Sequence, residues 1–122
     1  MLQLRSIIKP ADNCGAKRAQ IIHIYRGSHH KSASIGDVVL VAIKVAAPNS
    51  IIKKKDRVKM LIVRTKKEIR RSDGSYIRFS DNAGIAIDAQ KNPRGTRVFG
   101  PIAREIKTLG YSQIASLAKE VY

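Results

Sequence analysis

The side chains with most to offer a ligand are cationic, and they come in runs. Lys17-Arg18, His29-His30-Lys31, Lys53-Lys54-Lys55 with Arg57, and Arg64, Lys66, Lys67, Arg70 and Arg71 mark successive polar stretches of a 122-residue chain, with Ser28, Lys44 and Arg78 beside them. Lys and Arg number 24 against 9 Asp and Glu, a formal charge of +15. A field of that sign repels itself and needs a polyanion. Nucleic acid meets that need first, through phosphate contacts that weaken with salt. An anionic membrane surface comes second, but it is bound by a basic amphipathic helix, and these cations fall in strand-like and turn-like sequence.

Catalysis is hard to assemble from the same chain. Both glycine-rich phosphate-loop patterns are absent, and the few carboxylates lie mostly in turns. Cys14 is the sole cysteine, which excludes an intrachain disulfide and a multi-cysteine zinc site; it reads as a small residue filling a turn. Zinc needs three or four converging ligands, and the adjacent His29 and His30 point apart in an extended chain. No cofactor, metal or small-molecule substrate is expected. A hydrolase would have to run on His23 or Cys14, for which no partner can be named. Aromatic residues make up 5% of the chain and form no ladder. That argues against a binder that stacks single-stranded bases, and for recognition of folded RNA by shape, phosphate and ribose.

The elements that must position these cations are short strands. The length fits one domain over residues 1–122, with a barrel over about 1–99 that includes a hairpin arm at 64–79, and a short helical part over about 100–122. No apolar run reaches the roughly 20 residues that span a bilayer, and the N-terminal stretch has no sustained apolar core of a signal peptide. Ser6–Lys9 is a short strand, and Ala11–Arg18 a turn presenting Lys17 and Arg18. Gln20–Tyr25 is a strand with Ile22 and Ile24 on one face and Ile21, His23 and Tyr25 on the other. Val38–Val45 is apolar on both faces and should be covered on both. Val58–Val63 and Gly84–Asp88 follow, the latter with Ile85 and Ile87 inward. Gly100-Pro101 introduces a helix over Ile102–Lys107 that Gly110 ends, and Ser112 should cap a second helix over Gln113–Ala118. Four or five short strands and two small helices make a mainly β fold, a small barrel with a helical appendage.

The stretch Met60–Phe79 organises the rest. An apolar run turns abruptly basic, reverses at Asp73-Gly74 and returns through Tyr76-Ile77-Arg78-Phe79, a strong hairpin signal. A two-residue loop sets Arg71 opposite Tyr76 and Arg70 opposite Ile77. One face then carries Lys67, Ile69, Arg71, Tyr76 and Arg78, the other Glu68, Arg70, Ile77 and Phe79. Neither is cleanly apolar, so the hairpin is expected to leave the body as an arm wetted on both sides by a charged partner; a solvated surface hairpin is the alternative. In a meander barrel alternate turns reach the same end, so several cation clusters should share a surface. A structural RNA-binding protein and a free-standing nucleic-acid-binding factor both fit these residues.

The chain resembles the family of large-subunit ribosomal protein fourteen, in its bacterial or organellar form. The resemblance runs nearly end to end, through ADNCGAKR at Ala11–Arg18, GSHHK at Gly27–Lys31, GDVV at Gly36–Val39, VRTKKEIRRSDGSYIRFSDNA at Val63–Ala83, GTRVFGPIARE at Gly95–Glu105 and SLAKEV at Ser116–Val121. It implies a five-stranded barrel with a projecting hairpin and two short C-terminal helices. It implies direct binding of large-subunit rRNA, contact with small-subunit rRNA at the subunit interface, and ribosomal proteins three and nineteen as neighbours. The implied location is the cytoplasmic ribosome or an organellar one. It also implies that Thr96 and Arg97 dock a ribosomal silencing factor. Three residues depart from the family: Lys55 and Glu68 where Gly is common, and Lys119 where Pro is common.

Overall fold

Five strands, Ile7–Pro10, Ala16–Ile24, Val38–Ala46, Arg57–Arg64 and Ala83–Ile87, close into a barrel in that order. The structure, a computed structural model, describes residues 2–25 and 32–122. Its strands are β1 (Leu2–Gln3), β2 (Ile7–Pro10), β3 (Ala16–Ile24), β4 (Ser32–Ala33), β5 (Val38–Ala46), β6 (Arg57–Arg64), β7 (Ile69–Arg70), β8 (Tyr76–Ile77) and β9 (Ala83–Ile87). Two short helices follow, α1 (Glu105–Thr108) and α2 (Ser112–Leu117). Neighbouring barrel strands are antiparallel except at the seam, where β2 and β9 run parallel through Lys9–Ala83 and Pro10–Gly84.

Two apolar clusters explain why the strands read as they do. The barrel interior holds Ile8, Ala19, Ile21, Val39, Val41, Ile43, Val58, Met60, Ile62 and Ala86, with Ile52 folded in from the β5–β6 connection. The second cluster lies between the barrel and the C-terminal layer, and joins Leu61, Val63, Ile85 and Ile87 to Val98, Ile102, Ile106, Tyr111 and Ile114. β6 and β9 are therefore apolar on both faces, the pattern of a strand covered twice. β5 meets that expectation less fully: Val39, Val41 and Ile43 are buried and Val38 packs on the second cluster, but Val45 is 41% exposed. Ile85 and Ile87 are buried as expected, yet beneath the helical layer; the small Gly84 and Ala86 sit on the other face of the same strand, with Ala86 in the barrel interior.

β3 departs from simple alternation. Its burial runs in, out, out, in twice, at Ala16–Ala19 and at Ile21–Ile24. Register shifts against β5 between Ala16 and Ala19 and between Ile21 and His23 cause it, since an extra residue in one strand breaks the period of two. Ile22 and Ile24 therefore do not share a face: Ile24 is buried and Ile22 is 41% exposed. Lys17 and Arg18 are not in a turn either; both lie in β3, and the bulge turns both outward.

The hairpin corrects the expected register by one residue. Ile69 pairs with Ile77 and Arg70 with Tyr76. Arg71 N–H donates to Ser75 O (2.8 Å) and Gly74 N–H to Arg71 O (3.0 Å), so the loop has three residues, Ser72, Asp73 and Gly74, with Gly74 at a φ of 86°. The slip gathers Ile69 and Ile77 on one face and Arg70 and Tyr76 on the other. Ile69 and Phe79 pack against the second cluster, and Arg71 grips Glu105 of α1 through Nε–Oε1 (2.7 Å) and Nη2–Oε2 (3.3 Å). The hairpin thus lies on the body along one face and is not wetted on both.

The helices stand where proline, glycine and serine placed them, α1 shorter than expected and α2 of the expected length but one residue earlier. Ile102 is held extended beside Val121, so α1 starts only at Glu105. Ser112 is already helical; the cap position is Tyr111, which makes no side-chain cap bond.

Candidate nucleic-acid interface

Strand direction sorts the cation runs. The β2–β3 and β5–β6 connections and the segment after β9 share one end of the barrel, where Ala47 N–H donates to Gly15 O at 2.7 Å. The β3–β5 and β6–β9 connections reach the other end. The runs therefore divide between two ends, with Lys53, Lys54, Lys55 and Arg57 at the first and Lys66, Lys67, Arg70, Arg71 and Arg78 at the second. Ser28, His29, His30 and Lys31 lie outside the described residues. Strand tilt then joins part of the two sets: Ile8 pairs with Ala19, which sets Lys9 beside Arg18, while Lys9 N–H donates to Asn82 O and Asn82 Oδ1 accepts from Lys66 N–H at 2.9 Å. The result is an open groove of about 370 Å³ crossing the seam, lined by Lys9, Lys17, Arg18 and Lys66 with Asp81 and Asn82. Lys9 escaped the sequence reading; its signal was the outward position in the alternating β2, exposed between buried Ile8 and Pro10.

A second basic surface lies at the β5–β6 turn. Lys53, Lys54, Lys55 and Arg57 are all exposed there, and Lys44 is exposed on the neighbouring β5. Asp56 Oδ2 accepts from Lys53 N–H (2.9 Å) and Lys55 N–H donates to Ile43 O (2.8 Å), so the backbone beneath the cations is fixed. Lys55 holds a φ of 72°, in the left-handed region that favours glycine.

Arg64 is not offered to a ligand. Its side chain is 7% exposed. Nη1 donates to Phe99 O (2.9 Å) and Pro101 O (3.2 Å), Nη2 to Asp81 Oδ2 (3.3 Å), and Nε lies 3.0 Å from Asp81 Oδ1. It pins the start of the C-terminal layer to the barrel. Arg71, on Glu105, is likewise a protein contact. Arg70 and Arg78 remain exposed, and Glu68 answers Lys67 at 3.0 Å.

The carboxylates are engaged by the fold itself, and nine of them cannot cancel 24 cations. Asp12, Asp37, Asp56, Asp73 and Asp88 accept backbone N–H groups, from Ala86, Ser34, Lys53, Ser75 and both Gln90 and Asn92. Glu120 accepts from the Tyr122 hydroxyl, and Glu68, Asp81 and Glu105 meet the cations named above. All nine acids have work within the fold.

The two motifs ADNC and GTRVFG meet. Phe99 N–H donates to Ala11 O (2.7 Å) and Val98 bridges Asp12. Asn13 Oδ1 accepts from Thr96 N–H (2.7 Å) and Arg97 N–H (3.1 Å), and Asn13 Nδ2 donates to Thr96 Oγ1 (2.7 Å). A Cβ on Gly95 would come within 2.6 Å of Asn13 Oδ1, so a side chain there would push the Asn13 amide off these bonds. Thr96 and Arg97 are exposed on the held loop. Beneath it Cys14 S–H donates to Asp12 Oδ1 (2.8 Å), and burial, then Asp12, push the thiol up to about 12. A thiol so placed stays protonated at neutral pH, a packing residue with a carboxylate partner. Among the described residues no group of three or more His, Cys, Asp or Glu converges to hold a metal ion.

Comparison with known proteins bears on this geometry. The family model for ribosomal protein L14p/L23e matches residues 1–122. The chain belongs to this family. A relative from Petrotoga mobilis (strain DSM 10674 / SJ95), the large ribosomal subunit protein uL14, is 53% identical over 122 residues, covering 100% of both chains. The family is one of structural ribosomal proteins, not of enzymes, and the bacterial form fits this chain.

Proposed function

We propose that this protein is a structural constituent of the large ribosomal subunit that binds large-subunit rRNA directly by neutralising phosphate. The observation that carries the reading is the seam groove: Lys9, Lys17, Arg18 and Lys66 come from three separate stretches of chain onto one surface, in a protein whose acids are engaged by its own backbone and side chains. The turn bearing Lys53, Lys54 and Lys55, with Lys44, forms a second phosphate-binding surface, and Arg70 and Arg78 on the outer hairpin face a third. Ser28, His29, His30, Lys31 and Lys67 belong to the same RNA-binding set. The protein also reaches small-subunit rRNA in an intersubunit bridge. It neighbours ribosomal proteins three and nineteen, and docks a ribosomal silencing factor at Thr96 and Arg97. Its place is the cytoplasmic ribosome. The family, the full-length match to a large-subunit protein and the spacing of the cations support this reading.

Filter binding to a folded large-subunit rRNA fragment over a salt series tests it. Lys17→Ala, Arg18→Ala and Lys66→Ala should each weaken binding and reduce the log–log salt slope by about one. Unchanged slopes in all three would remove the groove from the interface. Co-sedimentation with large subunits through a moderate-salt wash is expected; a mostly free pool would point to a free-standing factor.

A further inference from the structure

Asn82 holds two cations of the seam groove in place at once. Its main-chain O accepts from Lys9 N–H (3.0 Å) on β2, and its side-chain Oδ1 accepts from Lys66 N–H (2.9 Å) just after β6. A backbone N–H can only donate, so the amide end that faces Lys66 is the oxygen and the other end is the NH2. Among the described residues no acceptor takes the Nδ2 hydrogens. Asn82 is half-buried and lines the groove with Lys9, Lys17, Arg18 and Lys66. What it offers a ligand there is a neutral donor among four cations. The acid beside it, Asp81, turns both carboxylate oxygens to Arg64, at 3.0 Å and 3.3 Å, and so does not claim that donor.

We propose that Asn82 is a specificity-determining residue of the groove: its side-chain NH2 donates to a ribose 2′-hydroxyl, and so makes the groove select RNA over DNA. The inference rests on the reading of the groove as an rRNA phosphate site. Ammonium and guanidinium groups outcompete a carboxamide for phosphate, because charge-assisted hydrogen bonds are roughly twice as strong as neutral ones. Four such groups line the groove, so the phosphates go to them. The sugar of a strand lies between one phosphate and the next, and a neutral donor tethered to both Lys9 and Lys66 faces it. The 2′-hydroxyl is the neutral acceptor that ribose has and deoxyribose lacks. With its oxygen fixed on Lys66 N–H, the amide does not flip to present an acceptor instead.

Interference mapping tests this on the folded large-subunit rRNA fragment, with single 2′-deoxy substitutions placed along the strand and affinities read on the folded protein. For the unaltered protein one 2′-deoxy position should cost about fivefold in affinity, the value of one neutral hydrogen bond. Asn82→Ala should erase that cost and leave the salt slope unchanged, since no charge is lost. Lys66→Ala should do the reverse: its slope falls by about one, and the 2′-deoxy cost persists because its backbone N–H still holds Asn82. A 2′-deoxy cost that survives Asn82→Ala, or no costly position with the unaltered protein, would overturn the inference while the phosphate reading stands on its salt slopes. A slope lowered by about one in Asn82→Ala would make Asn82 only a tether for Lys66 and overturn it too. So would sensitivity to base substitution in place of 2′-deoxy substitution, which would make Asn82 the reader of a base edge. If the unaltered protein ignores the folded fragment at low salt, the phosphate reading falls and the inference with it.

Discussion

Arg64 shows how far a single residue's role can lie from its sequence setting. It opens the most basic run of the chain, and a local reading groups it with Lys66, Lys67 and Arg70. Its partners lie 17, 35 and 37 residues later, at Asp81, Phe99 and Pro101. No local pattern carries such a contact. Arg64→Ala would strand Asp81 and two carbonyls, costing about 2–3 kcal/mol in urea unfolding; the figure stays below that for a fully buried pair because Asp81 is 34% exposed. RNA salt slope, measured on the folded fraction, should not change; a slope reduced by one would return Arg64 to the interface. Asp12 makes a different prediction. Burial raises its carboxyl above the ordinary 3.8, against the opposing hydrogen bonds from Cys14 and Ala86. The folded chain then holds that proton more tightly than the unfolded one. From this group, stability is present in acid and falls as pH rises from the ordinary value through the raised one. Asp12→Asn keeps an acceptor for Ala86 N–H and removes the charge. Its urea midpoint relative to the parent should therefore climb over that pH window, and parallel profiles would refute the assignment. The sequence showed Asp12 and Cys14 only as turn residues, because burial is a property of what packs over them.

At the level of elements, the hairpin was announced by Asp73-Gly74, but its register was not. Two-residue and three-residue loops both place Gly at a positive φ, and the choice between them flips every side chain across the ladder. Packing decided it here: only the observed register sets Ile69 opposite Ile77 and lets Arg71 reach Glu105. Arg71→Ala and Glu105→Ala should each cost about 1 kcal/mol, and the double variant little more than one of them. Additive losses would mean the pair contributes nothing as a pair. For RNA the two arginines should part company: Arg70→Ala lowers the salt slope by about one, and Arg71→Ala leaves it alone. The bulges in β3 were hidden for a related reason. AKRAQIIHI has no glycine or proline to mark a break in alternation, so Lys17 and Arg18 looked like turn residues and are strand residues turned outward together.

At the level of the whole molecule, the mainly β barrel and its helical appendage could be read from short apolar runs separated by polar turns. The second apolar cluster was foreshadowed by strands without a polar face. What could not be read was which cations would meet, since that depends on strand tilt and on which strands close the ring. The closing pair is the first barrel strand with the last, Lys9 and Pro10 against Ala83 and Gly84. A ribosome making this chain emits 18 of its 24 lysines and arginines before the strand that completes the ring exists. Until then Lys66 has no fixed distance from Lys17, and the polypeptide is a sticky basic thread rather than a ruler for phosphates. A chain stopped at Asn82 should hold RNA of any shape with similar, salt-labile strength, whereas the finished chain should discriminate among folded fragments. Selectivity would then arrive in a single late step of synthesis, which keeps half-made copies from competing for the binding site.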